Sequence, residues 1–172
     1  MKNIFYAALI MLSMASCQKE KKIGFIDNGE VINEYQEKKD IEARFEIKDQ
    51  AFRKRADSIG KAFQSEVQST QVVAQKSSQS KAQELMAGLQ KKQQQLQQQM
   101  QFEQQQLTNE FQTEIDSAIV KVKNYVKEYG KANGYTYILG TSEGVANVLY
   151  GTDENNLTQI ILDSLNADYK KQ

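Results

Sequence analysis

"QKKQQQLQQQMQFEQQQL", residues 90–107, holds eleven glutamines in eighteen positions. That composition is usual in disordered or aggregation-prone tracts, yet the apolar residues inside it keep a phase. Leu96, Met100 and Leu107 are separated by four and then seven residues. Extended outward, pairs four apart recur every eleven residues: Leu85 and Leu89, Leu96 and Met100, Leu107 and Phe111, Ala118 and Val122. Upstream, Ile41 and Phe45, Phe52 and Ala56, and Phe63 and Val67 follow the same spacing. An eleven-residue repeat is about 3.67 residues per turn, close to an unstrained helix, so it gives a straight or slightly right-handed coil. The glutamines therefore read as the solvated face of a long helix whose narrow apolar stripe meets a partner helix.

The surrounding composition agrees. The 172-residue chain has no Pro, so nothing forces a long helix to break. It has no His, which excludes a Ser-His-Asp triad and the commonest zinc ligand, and its single Cys excludes an intrachain disulfide or a CxxC metal site. Lys plus Arg equal Asp plus Glu at 22 each, so the whole chain does not have the balance of a nucleic-acid binder. No nucleotide-binding glycine motif is present. No nucleophile, base and orienting group can be assembled, so the chain reads as no enzyme, with no cofactor and no metal.

The first residues, "MKNIFYAALIMLSMASC", form an address label. One charge, Lys2, precedes an apolar run over residues 4–12 that is too short for a membrane span and has the form of an export signal. Its end resembles a bacterial lipoprotein signal, in which the Cys after small residues is acylated and becomes the mature N-terminus. Residues 1–16 are thus the expected signal peptide, Cys17 the lipidation site, and residues 17–22 a polar tether to the membrane. The expected compartment is the cell envelope, in the periplasm.

The mature chain reads in three parts. "IGFID" (residues 23–27) is strand-like. Residues 33–133 are almost wholly good helix formers. After "GKANGY", residues 135–141 ("YTYILGT") and 145–151 ("VANVLYG") are β-branched and aromatic and read as two paired strands. "TQIILDSLNADY" then suits a short amphipathic helix with Thr158 as N-cap. The stripe fades between residues 70 and 82, midway between the terminal strands, so the helix is expected to turn near residues 72–82; one unbroken helix is the alternative. The fold class is α+β: long antiparallel helical-hairpin, coiled-coil arms (33–133) on a small oligomeric β-barrel-like body (23–32 and 134–172). Two or three strands are too few to close a sheet, which predicts an oligomer that pools them.

At this point the chain resembles the Skp/OmpH family of periplasmic chaperones. The residues that carry the resemblance are Lys22 to Asp27, Asn33 to Tyr35, Tyr137 to Leu139, Val148 to Tyr150, Leu157–Thr158 and Leu165–Asn166. The resemblance implies a homotrimer with a central β body and three hairpin arms around a cavity. It implies ATP-independent holding of unfolded outer-membrane β-barrel proteins as partners. The chain departs from the family pattern in its balanced charge and its lipoprotein-type leader.

The charge is unevenly spread. Residues 48–92 carry nine basic side chains, Lys48, Arg53, Lys54, Arg55, Lys61, Lys76, Lys81, Lys91 and Lys92, against four acidic ones. These nine are the candidate client-attracting residues, able to pull acidic unfolded chains at long range; a merely solvated helix face is the bland reading. Val72, Val73, Leu85 and Met86 are candidate client contacts, with hairpin packing the simpler reading for Leu85. Tyr35, Tyr125 and Tyr129 are read as arm-base packing. The alternative function is a lipid-anchored coiled-coil spacer or tether of the envelope.

Overall fold

The computed structural model describes residues 21–142, 144 and 147–171. Strand β1 (Ile23–Asp27) leads into helix α1 (Asn28–Glu34), then the arm helices α2 (Gln36–Gln75) and α3 (Gln79–Ala132), strand β2 (Tyr137–Thr141), a short 3-10 turn (Asp153–Asn155) and helix α4 (Thr158–Tyr169). Lys76 to Ser78 make the turn between the arms. Ser78 occupies the next phase position of the stripe and is spent as a cap, its side chain accepting the Lys81 N–H at 3.4 Å. Helix begins five residues before the expected start at 33. Asp27 is extended and its carboxylate accepts the Glu30 N–H at 3.0 Å, so α1 starts at Asn28.

At the far end α3 stops in a Schellman motif. Gly134, with φ +72°, donates to Lys131 O, and Tyr135 N–H reaches Gly130 O at 2.9 Å. A left-handed residue there is why "NG" ends a 54-residue helix.

The expected pairing of residues 135–141 with 145–151 lies partly outside the described residues; the ladder that the described residues form is a different one. Tyr137–Thr141 pairs in parallel with Ile23–Asp27, in register from Ile23 with Tyr137 to Asp27 with Thr141. Both strands are entered in the same direction because the long hairpin is the crossover between them. Among residues 147–151 there is no strand. Beside β2, the Asn147 side-chain amide donates to Gly140 O at 3.3 Å. The other side of β1 receives Leu157 N–H on Phe25 O at 2.8 Å, next to an isolated bridge from Asn156. Among the described residues the sheet is therefore an open pair of strands, not a closed barrel.

The core sits where body and arm base meet. Val31, Leu157 and Ile161 have essentially no exposure, and Ile26, Tyr35, Ile41, Phe45, Ala118 and Val122 join them. A side chain at Gly24 would place Cβ 2.6 Å from Leu157 Cδ1, so α4 packs against bare backbone there. Two polar side chains of the terminal helix lock this arrangement. Thr158 is the first helical residue, not the cap expected of it: its Oγ1 accepts the Asp27 N–H at 2.9 Å and donates to Asn156 Oδ1 at 2.7 Å. Asn156 Oδ1 also accepts the Thr158 N–H at 3.0 Å, so Asn156 does the capping. Asn166 Oδ1 accepts the Gln36 N–H at 2.8 Å, capping the arm helix α2 from another element, since Tyr35 makes no side-chain cap.

Thr158→Val keeps the shape and removes both hydroxyl bonds; urea unfolding should show a loss of about 1–2 kcal/mol. Asn166→Ala should cost about 1 kcal/mol by the same measurement. An Ala at Gly134 should also destabilise, by about 1 kcal/mol, because it must hold the left-handed conformation.

Candidate functional site

The arm is the candidate site. Its helices run 40 and 54 residues, roughly 60 and 80 Å at about 1.5 Å per residue. In the glutamine tract only Leu96, Met100, Glu103 and Leu107 are half-buried, and the other apolar stripe residues are likewise half-buried or buried. Phe45 and Phe111 meet edge to face with centroids 5.3 Å apart. Phe102, off the stripe, is 64% exposed.

Five ion pairs cross between the arm helices: Glu37–Lys121, Arg44–Glu114, Lys48–Glu110, Arg55–Glu103 and Glu66–Lys92. In every one the two residue numbers add to 158, so a single antiparallel register runs the length of the arm. Each charged residue stands three after, or four before, the first member of a stripe pair. That phase puts all five on one edge of the hairpin. These are exposed pairs, worth about 0–1 kcal/mol each. Their larger effect is on register. A slide by one eleven-residue repeat would keep the stripe in phase, but it would set Arg55 against Lys92 and Glu37 against Glu110. A slide the other way sets Lys48 against Lys121 and Glu66 against Glu103. Each slide thus replaces five opposite-charge pairs with a mixed set that includes two like-charge pairs.

The nine candidate cations are accordingly divided. Lys48, Arg55 and Lys92 are engaged across the hairpin. Arg53, Lys61 and Lys81 pair with neighbours on their own helices, Asp49, Asp57 and Glu84. Among the described residues, Lys54, Lys76 and Lys91 have no ion-pair partner. Near the turn, Val72, Val73 and Met86 are exposed at 52%, 54% and 39%, whereas Leu85 is half-buried in the stripe. Cys17 lies outside the described residues.

Tyr35 is buried, edge to face with Tyr169 at 6.1 Å, and its hydroxyl donates to Glu37 at 2.7 Å. Burial first, then the Glu37 carboxylate, hold its phenol far above the usual range, so it stays a neutral donor. Tyr125 and Tyr129 pack, half-buried, against the same core. Among the described residues no group of acidic or sulfur ligands is placed to hold a metal ion, and no helix is long and apolar enough to cross a membrane. Sequence reasoning missed the cross-arm charges, although their signal was present: Arg44 and Arg55, like Glu114 and Glu103, follow the eleven-residue period.

No curated protein matches the sequence. Among solved structures, the chain is similar to a Caulobacter crescentus protein described as an OmpH-like outer membrane chaperone. The TM-score is 0.74 at 14% identity, over 87% of this chain and 86% of that one. The family model for outer membrane protein (OmpH-like) matches residues 22–165, from the start of the body through the arm and into the last helix. The chain belongs to the OmpH-like family.

Proposed function

We propose that the protein is an ATP-independent holdase of the cell envelope. It binds unfolded outer-membrane β-barrel proteins among its arms and keeps their apolar strands from pairing with other chains. The observation that carries this reading is the hairpin itself. Its two helices use only a narrow stripe to pack on each other, which leaves a long polar surface with scattered apolar side chains. Family membership and the likeness to a protein described as an outer membrane chaperone support it. Contacts spread along an arm give avidity without a defined pocket.

In this reading residues 23–32 and 134–172 are the oligomerising body and residues 33–133 the arm. Exposed Ile23, Tyr137 and Leu139 beside an open two-stranded sheet support assembly with further copies, a homotrimer by family resemblance. Residues 1–16 are the signal peptide and Cys17 carries the lipid anchor, with the periplasm as compartment. The nine arm cations attract acidic clients, with Lys54, Lys76 and Lys91 contributing most because neighbouring carboxylates do not neutralise them. Val72, Val73 and Met86 are client contacts near the arm ends.

The deciding experiment dilutes a urea-unfolded β-barrel protein into buffer with and without the protein and follows aggregation by light scattering. Suppression near one oligomer per client supports the holdase. No suppression at any ratio, from folded and oligomeric protein, returns the chain to the spacer or tether reading. Changing Lys54, Lys76 and Lys91 together to Gln should slow client association about threefold in low salt and leave it unchanged in high salt, read by stopped-flow fluorescence.

A further inference from the structure

The two edges of the hairpin are chemically different. One carries all five cross-arm ion pairs described above. On that edge the cavity between the helices, about 600 Å³, is lined by Lys48, Arg55, Glu103 and Glu110 beside Phe52 and Leu107; on the opposite edge, among the described residues, no ion pair joins the helices. Three cavities of about 320, 630 and 470 Å³ lie along that edge. The first and second share Gln104 and Thr108, and the second and third share Met100 and Gln101, so they form one groove. It runs from Glu42 to Phe63 on α2, roughly 30 Å at about 1.5 Å per residue.

Its floor is apolar: Phe45, Phe52, Phe63, Leu96, Met100 and Phe111. Its α3 wall, from Gln93 to Phe111, contains no charged residue and is mostly glutamine. On the α2 side, Gly60 leaves open space where any side chain would stand. The charged residues lining these cavities are Glu42, Glu46 and Asp49 at the end nearest the body, of which Glu42 is paired with Lys38 and Asp49 with Arg53.

We propose that this open edge of the arm is the surface that holds the client, taking an extended, apolar-rich segment of unfolded polypeptide along the glutamine wall. The inference rests on the holdase reading. An extended segment has the two needs the groove meets. Its apolar side chains can leave water on the aromatic and Met floor. Its unpaired backbone N–H and C=O groups can bond to glutamine amides, which both donate and accept. A helix would bring its backbone already satisfied and make no use of that wall. The cations used on the other edge make no contribution here, so charge governs arrival and the groove governs retention.

The test uses the full-length protein and a fluorescently labelled, urea-unfolded β-barrel outer-membrane protein, with dissociation followed after adding unlabelled competitor. Gln101→Glu with Gln104→Glu places charge in the wall; Gln94→Glu with Gln98→Glu places the same charge on the solvated outer face. Both keep good helix formers, and circular dichroism melts should be alike. The wall pair is expected to speed dissociation about tenfold, and the outer pair to change it by less than about twofold. A photo-crosslinking benzoylphenylalanine at position 101 should capture the client, and one at position 98 should not. Equal behaviour of the two pairs, with the wild type still retaining client, overturns the groove and leaves the holdase standing. A wall pair that alters self-association in sedimentation while client retention is intact also overturns it, making the groove an interface between copies. A wild type that never retains client removes both readings.

Discussion

Everything in the arm depends on an apolar repeat shared by two antiparallel helices. Two apolar residues in each eleven are few, and they stay opposite one another over the whole length only because both helices keep the same period. At about 3.67 residues per turn the stripe hardly drifts around either helix, so the hairpin does not need the left-handed supercoil that a heptad imposes. The low apolar content also explains the glutamines: a helix that buries two positions in eleven must present the other nine to water, and uncharged amides do so without mutual repulsion.

A repeating stripe has a weakness, since it matches itself after a slide of one repeat. Arg55 with Lys92 and Glu37 with Glu110 oppose one slide, and Lys48 with Lys121 and Glu66 with Glu103 oppose the other, because each slide brings like charges together. The ion pairs are therefore more informative about register than about stability. They also change how the charge of this segment is read. A net excess of five cations over residues 48–92 suggests a positive surface. In the folded arm most of those cations face carboxylates, some from residues well outside that window, such as Glu103 and Glu110. What remains is a difference between edges, one lined by paired charges and one whose α3 side is lined mostly by glutamine.

At the base, long-range polar contacts take over. Thr158 ties the last helix to the end of β1 across 131 residues, and Asn166 caps the start of α2 across 130. The family resemblance ran through both residues, yet no local pattern assigned them these partners. The β segment after residue 134 shows the same limit. Residues 137–141 were legible as strand formers, but propensity does not name the partner, and the partner of these residues is β1, more than 100 residues earlier in the chain.

By itself the sequence determined what depends on neighbours within a few turns: the long helices from their repeat, the stop at Asn133–Gly134, and the strand character of residues 23–27 and of most of 135–141. The tertiary structure decided what depends on distant residues meeting. That includes the parallel pairing of β1 with β2, the trans cap from Asn166, the neutralisation of Lys48, Arg55 and Lys92, and the difference between the two edges of the arm. The physical reason is range. Helical periodicity is a property of residues three to eleven apart, which one strand of text displays. Ladder pairing, capping from another element and charge compensation join groups 26 to 131 residues apart, and only the fold brings these together.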